Sequence, residues 1–212
     1  MKTLTIDVHS DIVCPFCFIS TRRLKNVLES LPEPIDVTVN HHAFFLRPTT
    51  PPEGLDLREY YRKKYGERIK ELFAPLEAEA RGSGIPLDLS KQTMAYQTTA
   101  AHTLIRHAHA KGTQLKLTDA LFTAYFIDAK NVANPEVLAE IAAPYGFEAK
   151  ETLRLVQDPT ELAITHKEAE KALAMGVRGV PRFVFNNRFT LSGGQPPEAF
   201  RLAIQKATEG AR

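Results

Sequence analysis

Apolar and polar residues alternate along two short stretches near the start of the chain. Residues 3–9 carry Leu, Ile and Val at every second position, and residues 35–39 repeat the pattern. A period of two predicts β-strands. Between them, apolar residues at helical spacing follow Pro15, which suits the first position of a helix, and stop at Pro32. The order strand, helix, strand predicts a βαβ unit with two parallel strands.

The middle of the chain has the periodicity of helices. A proline-rich connector begins near residue 47, and apolar stripes at helical spacing follow at 56–81, 92–111 and 117–129. Two further helices are predicted to begin near residues 135 and 159. At each of these points a capping residue precedes a proline, and an acidic residue follows in the first turn, where the helix dipole favours negative charge.

Strand patterns return after Gly176. Residues 182–185 and 188–191 flank Asn186 and Asn187, which tolerate the left-handed backbone of a tight hairpin turn. A last helix is predicted from Pro196 and Pro197 to about residue 208. These patterns together predict an α/β fold. We expect one sheet domain formed by residues 1–46 and 157–212, interrupted by an all-helical insertion domain at 47–156.

Composition and charge narrow the range of partners. Of the 212 residues, 43% are hydrophobic and 25% charged, which are ordinary values for a globular protein, and the net charge is only +2. These totals favour neither a nucleic-acid partner nor a membrane surface. The N-terminal residues lack the apolar run of a signal peptide, and no stretch is long and apolar enough to span a bilayer. The expected location is the cytoplasm.

The chain has two cysteines, Cys14 and Cys17, in the stretch CPFC at the predicted start of the first helix. We weighed a structural disulfide, a metal site, two inert buried thiols and a redox-active dithiol. A disulfide closing so short a loop gains little loop entropy. A zinc site needs a second pair of Cys or His ligands, which the chain does not offer, so neither a metal nor another cofactor is expected. The redox dithiol is favoured.

The two cysteines are predicted to have different roles. The start of a helix stabilises a thiolate through its free N–H groups and its dipole, so Cys14 is the expected nucleophile of disulfide exchange. Cys17 lies one turn further along the helix and is expected to be the shielded thiol that resolves the mixed disulfide. Asp11 and His9, just before the dithiol, are candidates for a proton relay.

Three segments together resemble the DsbA-like, thioredoxin-fold oxidoreductases of the FrnE type: DIVCPFC, LFTAYFIDAKNVANPEVLAEIAAPYGF and GVRGVPRFVFNNRFTLSGGQP. The resemblance runs along nearly the whole chain and implies a thioredoxin fold with an all-helical insertion. It implies that Cys14 attacks, that Cys17 resolves, and that Val180 and Pro181 form a cis-proline loop that faces the dithiol and binds substrate. Pro15 and Phe16 are further candidate substrate contacts, although many FrnE-type members carry Trp at the second of these positions.

The expected activity is thiol–disulfide exchange on protein or peptide thiols and disulfides, with glutathione as a further candidate partner. Three directions of exchange stay open, those of an oxidase, a reductase and an isomerase. The oligomeric state, monomer or dimer, also stays open. One alternative is a glutathione-dependent isomerase or transferase, of the 2-hydroxychromene-2-carboxylate isomerase or kappa-class type. Those relatives carry serine where this chain has Cys14, which argues against them. The other alternative is a non-catalytic chaperone that binds peptides.

Overall fold

The computed structural model describes residues 2–32 and 35–209. Along the chain, its strands and helices are β1 (Thr3–Ser10), α1 (Pro15–Glu29), β2 (Asp36–Ala43), β3 (Leu55–Asp56), α2 (Leu57–Tyr65), α3 (Ile69–Gly82), β4 (Met94–Ala95), α4 (Thr99–Ala108), α5 (Gln114–Phe126), α6 (Pro135–Ala142), α7 (Ala149–Gln157), α8 (Pro159–Ala174), β5 (Arg182–Phe185), β6 (Phe189–Ser192) and α9 (Pro197–Thr208).

Strands from both ends of the chain form one sheet in the order β2-β1-β5-β6. Strand β1 is parallel to β2 and antiparallel to β5, with Ile6 opposite Phe185. The predicted βαβ unit is therefore confirmed. The predicted hairpin between β5 and β6 is also present, and Asn186 and Asn187 have φ values of 47° and 54°, the left-handed conformation that such a turn requires.

One face of the sheet carries the first hydrophobic core. Leu4, Ile6 and Val8 of β1 lie on the same side of the strand, because side chains alternate between the two faces. They pack with Phe183 and Phe185 of β5 and with buried residues of α1 and α9. This core joins the two ends of the chain into a thioredoxin-like fold.

Helix α1 also belongs to a second core, which lies between it and the helices from the middle of the chain. Phe18 stacks on Phe122 and Phe126 of α5, with ring centroids 5.4 and 5.7 Å apart. Both Cys14 and Cys17 belong to this second core. The helix that begins at the dithiol is therefore packed on two sides, which restricts its movement.

The structure corrects two of the predicted helices. The segment 56–81 is two helices, because Gly66 ends α2 with φ at 60°, a conformation that favours glycine. The segment 92–111 contains only α4, because residues 94–95 pair with 55–56 as a short antiparallel ladder. In the described part of the chain, the helices are all too short or too polar to cross a membrane. The domain limits at 46/47 and 156/157 stay a prediction.

Candidate active site

Cys14 is the residue that caps helix α1. Its sulfur accepts a hydrogen bond from the backbone N–H of Cys17 at 3.3 Å, and its own N–H donates to the carbonyl oxygen of Asp11 at 3.1 Å. The two thiols are not bonded to each other. Cys14 is 3% exposed and Cys17 is fully buried. Local capping therefore directs the sulfur of Cys14 toward the free N–H groups of the helix.

The loop between α8 and β5 lies beside this sulfur. The Val180–Pro181 peptide bond is cis, and the carbonyl oxygen of Val180 lies 4.0 Å from Sγ of Cys14. The carbonyl oxygen of Pro181 accepts the N–H of Gly193 at 2.9 Å, which ties the loop to the turn after β6. The tertiary fold thus brings together two motifs that lie 166 residues apart in the chain.

Cys14 and Val180 line a cleft of about 480 Å³. Pro15 and Phe16 line it as well, and Phe16 is 42% exposed. Its other walls come from the loop after β2 and from α2, α3 and α5, and they are largely apolar; they include Leu57, Tyr61, Phe73, Leu76, Tyr125 and Phe126. A concave apolar site that ends on a reactive group is typical of a substrate-binding site.

Gly194 packs directly against Phe16. A Cβ atom at residue 194 would lie 3.0 Å from Cδ1 of the Phe16 ring, closer than such contacts normally come. The same loop is held from α1, since Nη1 of Arg23 donates to the carbonyl oxygen of Gln195 at 2.9 Å. The glycine therefore allows the loop to support the aromatic ring beside the dithiol.

Asp11 lies buried just before the dithiol. Its Oδ2 accepts the N–H of Leu46 at 2.7 Å, and its Oδ1 lies 3.5 Å from Nε2 of His102 on α4. Burial and contact with Cys14 raise the pKa of Cys17 well above its usual value; of the two effects of Asp11, a backbone hydrogen bond lowers this pKa and the negative charge raises it. The Cys17 thiol is therefore protonated at neutral pH.

Residues 5–205 match the model of the DSBA-like thioredoxin domain. The chain belongs to this family. Among curated proteins, the uncharacterized protein YwbO of Bacillus subtilis (strain 168) is 25% identical over 207 residues, which is 95% of this chain and 96% of that protein. The DSBA-like family consists of disulfide oxidoreductases and isomerases.

Two solved structures show the same fold. A probable DsbA oxidoreductase of Streptomyces coelicolor, SCO1869, is 28% identical, with a TM-score of 0.85 over 99% of this chain and 91% of that one. The cytosolic disulfide reductase DsbM of Pseudomonas aeruginosa, solved with GSH, is 18% identical, with a TM-score of 0.66 over 95% of this chain and 98% of that one. The expected thioredoxin-like DSBA fold with a helical insertion is confirmed.

His9 lies apart from the other predicted site residues of this DSBA-like domain. Its ring stacks on His42 with centroids 5.0 Å apart, and both line a different groove with Asp7 and Glu168. Burial and the nearby His42 and Arg182 lower the pKa of His9 to about 4, so the ring is neutral at pH 7. The structure therefore gathers Cys14, Cys17, Asp11, Pro15, Phe16, Val180 and Pro181 in one place and leaves His9 elsewhere.

Three residues that shape this site were not predicted from the sequence: Arg47, Gly194 and Arg23. Arg47 lines the cleft beside Cys14, but it is one of 27 Lys and Arg residues and belongs to no motif. Gly194 lies in the third of the segments that resemble the family, where the paired glycines were a usable signal. No sequence signal indicated Arg23, because its hydrogen-bond partners come from distant parts of the chain.

Proposed function

We propose that this protein is a thiol–disulfide oxidoreductase that acts on protein or peptide thiols and disulfides. Cys14 is the nucleophile and Cys17 the resolving thiol. The observation that carries the proposal is the contrast between two thiols at the start of one helix: Cys14 lines the cleft and its sulfur accepts an N–H, whereas Cys17 is fully buried and its pKa is raised. Only the first has the environment of a reactive thiolate.

The reaction proceeds in two exchanges. The Cys14 thiolate attacks one sulfur of a substrate disulfide, a new S–S bond forms, and the second substrate sulfur leaves as a thiolate that takes up a proton. Cys17 then loses its proton, and its sulfur attacks the sulfur of Cys14. The Cys14–Cys17 disulfide forms and the remaining substrate thiolate leaves. Two electrons pass from the dithiol to the substrate, and oxidation of a substrate dithiol follows the reverse path.

The substrate is held by the loop at Val180 and Pro181 and by Pro15 and Phe16. Val180 lies directly beside the attacking sulfur, so its backbone is placed to pair with the chain on either side of a substrate cysteine. The exposed ring of Phe16 supplies an apolar contact at the edge of the cleft. In this proposal, residues 1–46 and 157–212 supply the dithiol and the loop, and the insertion 47–156 supplies the opposite wall.

Asp11 is the proton acceptor for Cys17 in the second exchange. Bulk water does not reach the Cys17 thiol, which is fully buried, so a group inside the protein has to take its proton. The Asp11 carboxylate is buried in the turn that leads into the dithiol, and its charge acts on the pKa of that thiol. Proton transfer by a positioned side chain accelerates such steps by roughly 10²–10⁴-fold.

Glutathione stays a further candidate partner, and the reducing cytoplasm is the proposed compartment. DsbM, a cytosolic disulfide reductase solved with GSH, shares the fold. The glutathione-dependent isomerase is disfavoured because Cys14 occupies the position where the family resemblance implies serine in those relatives. A thiol-blocking reagent distinguishes an oxidoreductase from a chaperone without catalysis. It abolishes the activity of an oxidoreductase but leaves passive peptide binding intact.

The test is trapping of the mixed disulfide. Cys17→Ser is expected to attack an oxidised peptide and stop, because no second thiol releases the product. Cys14→Ser is expected to form no adduct. Mass spectrometry after mixing each variant with the peptide identifies the linked residue. An adduct on residue 17 of the Cys14→Ser protein, formed as fast as the adduct on residue 14, would reverse the assignment.

A further inference from the structure

Arg47 lies at the edge of the cleft in a fixed position. It is half-buried and lines the same cleft as Cys14 and Val180. Its guanidinium lies 4.5 Å from the ring centroid of Tyr60 and 5.8 Å from that of Tyr61. Its Nη2 also donates to the hydroxyl of Tyr61 at 3.2 Å. Stacking and a hydrogen bond therefore hold the cation in place before any substrate arrives.

The charge of Arg47 is not neutralised within the described residues. No carboxylate among the side chains that the structure describes forms an ion pair with it. The acidic residue that lines the cleft, Glu79, is already bound to Nη1 of Arg23 at 2.7 Å. The remaining lining is mostly apolar and aromatic. Among the side chains that the structure describes, the cleft beside the dithiol thus presents one positive charge without an anion to balance it.

A guanidinium in such surroundings is suited to a carboxylate. It has five N–H donors arranged in a plane, and two of them pair with both oxygens of a carboxylate at once. The attraction is stronger in an apolar cleft than in water, because the surroundings screen the charges less. A cleft of about 480 Å³ accommodates a small ligand or a short segment of peptide.

We propose that Arg47 binds a carboxylate of the disulfide substrate, so that the cleft selects thiols and disulfides with a carboxylate close to the reacting sulfur. The inference rests on the proposed oxidoreductase function and names the substrate class of its site. Glutathione disulfide has this chemistry, and so does a peptide in which cysteine lies next to an acidic residue or to the C-terminus. Val180 and Phe16 contact the remainder of the substrate.

The test compares matched acidic and neutral substrates. One pair is glutathione disulfide and the same molecule with its carboxylates converted to amides. The other is a cysteine-containing peptide disulfide with either a free or an amidated C-terminus. The quantity measured is the ratio of kcat/KM for the acid to kcat/KM for its amide. This ratio is independent of the fraction of each variant that is folded.

We expect Arg47→Gln to lower this ratio by roughly 10–100-fold, the value of a charge-assisted hydrogen bond. Arg47→Lys, which keeps the charge but not the planar pair of donors, should give an intermediate ratio. Arg58→Gln is the matched control. It removes the same charge from an exposed position on α2 that does not line this cleft, and should leave the ratio as in the wild type.

The outcomes separate the two proposals. If the wild type reduces none of the four substrates, nor the neutral hydroxyethyl disulfide, the oxidoreductase function itself is wrong. If it reduces acids and amides equally well, or if Arg47→Gln and Arg58→Gln change the ratio by the same factor, only the role of Arg47 is wrong. A ratio that falls for one pair alone supports Arg47 and identifies glutathione or peptide as the source of the carboxylate.

Discussion

The backbone N–H of Cys17 points at the sulfur of Cys14, with 3.3 Å between nitrogen and sulfur. In the proposed mechanism, the resolving residue thus donates to the residue that attacks. This N–H is a direct hydrogen-bond donor to the sulfur of Cys14. In the proposed second exchange, this N–H stays near the sulfur, since both cysteines belong to the first turn of α1.

The raised pKa of Cys17 predicts how the stability of the reduced protein depends on pH. The neutral thiol is favoured in the folded state, mainly by burial. Its contribution is fully present below the unfolded pKa of roughly 8.5 and is lost as the pH rises toward the folded value. The test compares Cys14→Ser with Cys14→Ser/Cys17→Ser under reducing conditions. Above roughly pH 8.5, the free energy of unfolding of Cys14→Ser is expected to fall by up to about 1.4 kcal/mol per pH unit relative to that of the double variant.

Urea unfolding of these two proteins between pH 7 and pH 10 measures the difference. Because both lack Cys14, the comparison isolates the buried thiol. Parallel stability curves over the whole range would show that Cys17 titrates alike in the folded and unfolded chains.

Replacing Asp11 should slow the second exchange and leave the first unchanged. Asp11→Asn keeps an oxygen for the N–H of Leu46 but removes the base. At pH 7, release of the substrate thiol from the mixed disulfide should slow roughly 10²-fold. The loss of negative charge eases ionisation of Cys17 and opposes this effect. Single-turnover mixing with a fluorescent disulfide resolves the two rates.

His9→Gln is the control for Asp11→Asn. His9 was also a candidate proton relay, but it lines a different groove and is neutral at pH 7. Both exchange rates should therefore match those of the wild type. A slow release in the His9 variant, together with a normal one in the Asp11 variant, would exchange their roles.

Arg23 should contribute more to stability than an exposed cation. It is buried on α1, where Nε donates to Oγ of Ser83 at 2.8 Å and Nη1 contacts both Glu79 and Gln195. Arg23→Met leaves these acceptors without their donor. The expected loss is about 2–3 kcal/mol, below the usual figure for a broken buried pair because Glu79 remains partly in water.

Lys63→Met is the matched control. It breaks the pair with Glu59, whose side chain is 51% exposed, and should change the free energy of unfolding far less than Arg23→Met does, because water screens an exposed pair. Chemical denaturation of both variants gives the comparison. Equal losses would mean that the contacts of Arg23 add nothing beyond those of a surface ion pair.

Sequence patterns located most of the elements. The signals that succeeded depend only on nearby residues: they are the period of two in β1, the capping residues before α6 and α8, and the two asparagines of the β5–β6 turn. Where a single local residue decided the outcome against the periodicity, the prediction was wrong. Gly66 divides the predicted helix 56–81, although the apolar stripe continues on both sides of it.

The sequence by itself determined that two thiols lie one helical turn apart at the start of a helix, because capping and helical spacing are local properties. Only the tertiary structure decided which groups surround them. The positions of Val180, Arg47 and His9 depend on long-range packing: the sheet register places His9 in a separate groove, and the loop after β2 carries Arg47 to the wall of the cleft. Periodicity reports the face on which a side chain lies, whereas a neighbour from a distant segment is set by the packing of the whole chain.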